Sequence, residues 1–236
     1  MGKQGWFQVP RSIELTFDLL AERRYREVAR GIAARVHRRG TSYGLRRDLT
    51  VPFAAPAAKI PLTVRPLRSE DVPILFEGDV SVREAAEMIA RRKHLAAEIP
   101  QCYVAIDERD GTPCYFQWLM GPKQNAKIKA LFGGDWFPVL APDEALLENA
   151  YTPVRYRGNG IMPAAMAQIA EHAAEIGCRY VITFVASDNA ASLHGCAKAG
   201  FKKYIAREET DTLGLFHSRR FVPLPEVNTA AATPTP

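Results

Sequence analysis

The chain has no apolar run approaching the length needed to cross a bilayer, which argues against a membrane-spanning helix. Its first residues, Met1 to Phe7, lack the charged-then-apolar layout of a secretory signal. Trp6 stands where a myristoylation motif beginning at Gly2 wants Ser or Thr. A cytoplasmic protein is the expectation. Cys102, Cys114, Cys178 and Cys196 are scattered, with no C-x-x-C pair and no accompanying His spacing. That argues against a zinc site or a disulfide framework and leaves buried free thiols. There is no internal repeat. What is present is ordinary for a globular chain of 236 residues, 47% hydrophobic and 24% charged, enough for one good-sized domain with an appendage. The net charge of +5 favours acidic partners: a CoA-type ligand, a nucleic acid, an anionic membrane or an acyl carrier protein. Charge alone does not choose among them.

Residues 1–58 differ in composition from the rest. Between Asp18 and Arg39, Tyr25, Val28, Ala29, Ile32 and Val36 recur at helical spacing. Arg23, Arg24, Arg26, Arg30, Arg35, Arg38 and Arg39 crowd the remaining surface. This pattern predicts a basic helical arm, which either lies on an anionic membrane or acidic partner or docks on its own domain. A Pro/Ala-rich connector, VPFAAPAAKIP, follows. The main domain is expected over 59–224 and a disordered tail over 225–236. Leu62 opens a short alternating strand, Ser69-Glu70-Asp71 a helix, and Ser81 a second helix with Glu84 at capping-box spacing, running to about Ala97. Asp110-Gly111 between two aromatic-rich strands predicts a hairpin. Residues 121–143, with Gly133-Gly134 and Trp136-Phe137, read as an irregular stretch that covers a substrate pocket or packs as a surface loop. Strand, helix, strand, helix and strand then alternate to Phe221.

The informative segment is TPVRYRGNGIMPAAMAQIAEHAAEIG. A strand runs into an Arg/Gly turn, and a helix follows from about Asn159. Glycines there let the backbone approach a ligand closely, and the uncapped amides of a helix start suit a diphosphate. A Gly-x-Gly before a helix is weak evidence by itself. The second segment, NAASLHGCAKAGF, places Asn189 and Ser192 at a helix start and Lys198, Gly200 and Phe201 at its stop.

Together these segments resemble motifs A and B of the GCN5-related N-acetyltransferase (GNAT) superfamily. Motif A is read as Arg157, Gly158, Asn159, Gly160, Ile161 and Met162; a register on Arg155, Gly158 and Gly160 also fits. Gly177 and the distance to Asn189 favour the first. The resemblance covers roughly 62–222 and implies an α/β fold: a mixed central sheet of about six or seven strands flanked by helices, with the basic arm as an addition. It implies an N-acyltransferase that moves an acetyl or longer acyl group from acyl-CoA to an amine acceptor, with no metal. Tyr151 and Thr152 would then lie along the pantetheine, Arg157 to Met162 at the diphosphate, and Asn189 and Ser192 beside the pantetheine. Two positions depart from the pattern. Met162 replaces a small residue, and Cys196 stands where many members have the Tyr that protonates the departing thiolate. Cys196, Tyr204 or water is the candidate acid, or the thiolate leaves unassisted, and Glu148 is the candidate base if it faces the cleft. Strand alternation would put Glu148 on the face of Ala150 and Thr152. His94, His172, His194 and His217 read as structural or surface residues. The competing functions are a non-catalytic acyl-CoA-binding module, an acyltransferase with a carrier-protein donor, and a nucleic-acid binder.

Overall fold

The computed structural model describes residues 37–76, 88, 91–97, 99, 101–212 and 216–225. The helical arm up to residue 36, the Ser81–Glu84 capping box and the tail beyond 225 lie outside the described residues. Among the described residues eight strands form one sheet: β1 (His37–Asp48), β2 (Leu62–Pro66), β3 (Cys102–Asp107), β4 (Thr112–Met120), β5 (Glu144–Tyr151), β6 (Tyr180–Ala186), β7 (Lys202–Thr212) and β8 (Phe216–Pro223). Their spatial order is β2-β3-β4-β5-β6-β1-β7-β8. The pairs β2–β3, β3–β4, β4–β5 and β1–β6 are antiparallel, and β5–β6 is parallel. The described helices are α1 (Asp71–Leu75), α2 (residues 91–96), α3 (Asn125–Phe132), α4 (Ile161–Glu171) and α5 (Ala190–Lys198). By its internal contacts the chain divides into a unit of 1–40 with 208–220 and a larger one of 41–207 with 221–236. The first carries an Arg220–Glu208 ion pair at 2.8 Å.

Expected elements recur where local chemistry specifies them. Gly111 takes φ +75° in the turn joining β3 to β4. Asp71 starts α1, accepting the Arg68 N–H at 2.8 Å and both Arg65 guanidinium nitrogens at 2.7 Å. A buried carboxylate held this way keeps a lowered pKa against the opposing effect of burial.

Three expectations are corrected. Residues 37–39 were to end a helix and 40–48 to lead into a connector, but they form β1, and Ser42–Asp48 pairs with Ala186–Tyr180. The described sheet therefore has eight strands where about six or seven were expected. Arg46 and Arg47 fit in this strand because their guanidinium groups lie over rings: Arg46 on Tyr180 at 4.7 Å and Tyr204 at 4.9 Å, Arg47 on Phe53 at 4.6 Å. The stretch 121–143 is not wholly irregular. Gln124 accepts the Gly121 N–H, a short turn Pro122–Gln124 leads into α3, and Gly133 (φ +85°) stops it.

The core has two sides. Leu45, Tyr115, Leu119, Ala145, Leu147 and Val181 pack with α4 and α5 through Ala165, Met166, Ile169 and Cys196. On the opposite face Phe116, Trp118, Leu146, Tyr151 and Ile182 pack with Leu75, Ile128, Phe137 and Leu140. No helix among the described residues is long and apolar enough to cross a membrane.

Candidate active site

The parallel pair β5–β6 is short. Glu144, Ala145 and Leu146 pair with Tyr180, Val181 and Ile182, and no pairing between the two strands continues beyond Leu146. The cause lies in β5 itself. Asn149 adopts φ +62°, and the register with β4 shifts between Phe116 and Trp118. This is a bulge, which bends its strand and interrupts the ladder.

The bulge also redirects side chains. Leu147 lies opposite Leu119 on the α4 side, and Glu148 lies opposite Trp118 on the other. After the extra residue, Ala150 packs on the α4 side while Tyr151 joins the face of Trp118. The expected alternation of Glu148 with Ala150 is therefore wrong, because a one-residue insertion inverts the parity of a strand. Glu148 shares its face with Tyr151.

Glu148 is half-buried, but its Oε2 is sealed from solvent and has no hydrogen-bond partner. Its Oε1 accepts the Asn149 N–H at 3.1 Å. Burial pushes the Glu148 pKa up to about 7, against the lowering influence of that N–H, Arg207 and Arg91. Beside it the Asn149 amide contacts His94 Nδ1. His94 meets Trp118 and Phe132 edge-on, and burial, reinforced by Arg91, lowers its pKa to about 4. Among the histidines, His94 alone touches this cluster through a hydrogen bond that the described residues show. The buried Arg207 donates to the Trp136 carbonyl at 2.9 Å and the Ser42 hydroxyl at 3.2 Å, with its guanidinium 4.2 Å from the Trp136 ring. These bonds hold the residues after α3 against the sheet. Nothing in the sequence pattern joined Asn149, His94 and Arg207. A non-glycine residue at positive φ leaves no compositional trace, and the other two come from remote elements.

Beyond β5 the chain passes a short turn at Val154–Tyr156 and reaches Gly158 (φ +80°) and Gly160 (φ +71°). Gly160 is the N-cap of α4, which has no side-chain cap and no acid in its first turn. A Cβ at Gly158 would meet nothing within 4 Å. An open turn leading into an uncapped, acid-free helix start fits an anionic diphosphate. Arg157 directs Nε to the Thr152 carbonyl at 3.1 Å, and Asn159 Nδ2 donates to the Tyr156 carbonyl at 3.1 Å, so both side chains brace the turn.

The two departures from the motifs have structural consequences. A Cβ at Gly195 in α5 would stand 2.5 Å from Met162 Sδ, so the Met162 side chain lies against Gly195. The large residue in the turn is matched by a missing one in the facing helix. In a double-mutant cycle, Gly195→Ala is expected to stabilise the Met162→Ala protein by about 1 kcal/mol, the usual helix preference for Ala. In the parent protein that gain is cancelled by the clash, giving a coupling of about 1–2 kcal/mol in thermal or urea unfolding. Cys196 is 1% exposed, 3.9 Å from Met166 Sδ, and burial, reinforced by Glu148, raises its thiol to about 12. Tyr204 has its phenol raised by burial; its charged neighbours are Glu144 and Arg46, at the paired end of β5 and β6. Asn189 caps α5 by accepting the Ser192 N–H at 3.1 Å.

A family model described as an acetyltransferase (GNAT) domain matches residues 61–202, more than half of the chain. The chain belongs to the GNAT acetyltransferase family, which uses acetyl-CoA as donor. No curated protein matches it. Among solved structures, a GCN5-related glucosamine N-acetyltransferase region of a fungal multi-domain GH3 β-N-acetylglucosaminidase aligns with TM-score 0.53 and 13% identity, over 78% of this chain and 22% of that one. A GCN5-related N-acetyltransferase from Sphaerobacter thermophilus gives 0.47 and 14%, over 83% and 56%. A tandem GNAT protein from the clavulanic acid biosynthesis pathway gives 0.45 and 19%, over 80% and 59%. This chain therefore spans less than two thirds of each of these structures, and the likeness is one of fold.

Proposed function

We propose that the chain is an N-acyltransferase that moves an acetyl group from acetyl-CoA to an amine. The observation that carries this reading is the bulge at Asn149, which ends the β5–β6 pairing beside the glycine turn and brings Glu148 to the face of Trp118 and Tyr151. The backbone N–H groups of residues 158–162, with Pro163 in the first turn, would hold the diphosphate, and Arg157 would brace them. Tyr151 and Thr152 would border the pantetheine, with Asn189 and Ser192 at the start of α5. Acetyl-CoA supplies the activated acyl carbon. Glu148 takes a proton from the acceptor ammonium, since a carboxylate with a pKa near 7 is matched to that transfer at neutral pH. The Asn149 N–H is already given to Glu148, so the donor to the developing oxyanion lies beyond the bulge. Cys196 packs α5 against α4 and Tyr204 stands with Arg46, so neither serves as the acid: as the amine nitrogen bonds to the acyl carbon the C–S bond breaks, and the CoA thiolate takes from water the proton that the acylated nitrogen gives up.

A second reading, a module that binds acyl-CoA without turnover, draws support from the sealed Oε2 of Glu148 and the inert thiol at Cys196. The two separate in one experiment. The full chain is incubated with acetyl-CoA and a panel of amino acids, amino sugars, polyamines and peptides, and free thiol is followed. Acceptor-dependent thiol release supports transfer. Saturable acetyl-CoA binding without release for any amine supports the module.

A further inference from the structure

Residues 49–60 precede the matched domain and form a strap tied to the larger unit at several points. The Leu49 N–H donates to the Arg179 carbonyl at 2.9 Å. Phe53 lies where a Cβ on Gly200 would come within 2.9 Å of its ring, and under the Arg47 guanidinium at 4.6 Å. Ile60 is buried in the core on the α4 side, with Ala58 packed against it. The Lys59 N–H donates to the Asn159 carbonyl at 2.8 Å, and Ala57 O and Ala58 Cα lie 3.7 Å from the Cβ position of Gly160. The strap thus runs from the end of α5 to the glycine turn at the start of α4.

We infer that the strap completes the phosphate end of the acyl-CoA site, with Lys59 as a cation that contacts the diphosphate; this rests on the reading of the glycine turn as that site. The backbone of Lys59 is fixed against the turn by its own N–H, and its side chain is exposed. No ion pair of Lys59 is found among the described residues. A lysine stem reaches about 6 Å from its Cα, enough to place the ammonium at an anion resting on the N–H groups of residues 158–160. Of the neighbouring arginines in the turn, Arg157 is held by the Thr152 carbonyl, and Arg155 lies 5.3 Å from the Tyr156 ring centroid. An exposed ammonium beside an acid-free helix start adds charge-assisted contacts to those of the amides.

The test is calorimetric binding of acetyl-CoA to the full chain and to its Lys59→Ala and Lys59→Arg variants, repeated with dephospho-CoA. Lys59→Ala is expected to weaken acetyl-CoA binding about tenfold, and Lys59→Arg to recover most of it. The same factor with dephospho-CoA supports contact at the diphosphate, whereas a loss confined to ligands carrying the 3′-phosphate overturns that assignment. Unchanged affinity in Lys59→Ala while the parent binds overturns the inference and leaves the turn's reading intact. Absence of binding in the parent defeats that reading itself. The thermal midpoint of both variants is expected to match the parent, because the side chain is exposed.

Discussion

Glu148→Gln is expected to lower acetyl transfer by about 10²–10⁴-fold while leaving acetyl-CoA affinity nearly unchanged. The parent rate should rise as pH passes about 7, where Glu148 loses its proton, and the variant should lack that limb. Stability should shift as well. The folded state holds the Glu148 proton up to about pH 7, whereas an unperturbed carboxylate releases it near 4.5. Between those values the folded form binds more protons, so the contribution of this group to stability falls as pH rises. Gln removes that fall, and the variant should be more stable than the parent at pH 8 by about 3 kcal/mol. His94 acts with the opposite sign. It stays neutral in the fold down to about pH 4, against an ordinary value of 6.5, so the stability it contributes is lost as pH falls through that window. The variant should therefore show a His94 slope that Glu148 partly masks in the parent. Urea unfolding at pH 4, 6 and 8 resolves both; equal pH profiles for parent and variant would contradict the burial of Glu148.

Gly160→Asp is expected to weaken acetyl-CoA binding by two orders of magnitude or more with little change in stability. The position is left-handed at φ +71°, but Asn and Asp tolerate that region better than other side chains. A Cβ there makes only ordinary contacts at 3.7 Å with Ala57 and Ala58. An acid at the N-cap also complements the helix dipole, which offsets the backbone strain. On the proposed reading the same charge would occupy the place of the diphosphate and repel it. Gly160→Asn, of nearly the same shape without charge, should lose far less, so the ratio of the two affinities isolates electrostatics from sterics. Comparable losses in both variants would mean that shape alone governs the turn.

The glycine turn, the α5 cap and the β3–β4 hairpin could be read in advance because each depends on a residue type that local geometry demands. Gly158 and Gly160 take positive φ, Asn189 caps a helix, and Gly111 turns a hairpin. Glu148 could be named as a candidate, but its face could not, since ALLENAY carries no sign of a bulge and alternation counts straight through it. β1 was hidden for another reason. Its Arg46 and Arg47 look like solvent-facing residues, and partners distant in sequence make them compatible with a central strand: the rings of Tyr180 and Tyr204 for Arg46, and the Phe53 ring, the Ala167 carbonyl and the Glu171 carboxylate for Arg47. The helix α3 was obscured by Gly133-Gly134 and the aromatics after it, which mark its stop rather than its absence. The fit of Met162 to Gly195 joins two residues that each looked like an isolated oddity.

The measurement that bears most directly on the central claim is calorimetric titration of the full chain with acetyl-CoA, with Gly160→Asp alongside. The expected result is saturable one-to-one binding in the micromolar range for the parent and its loss in the folded variant. A parent that is folded yet takes up no acetyl-CoA, or a variant that binds as tightly as the parent, would contradict the assignment of the glycine turn and the opening beside Glu148 as the acyl-CoA site.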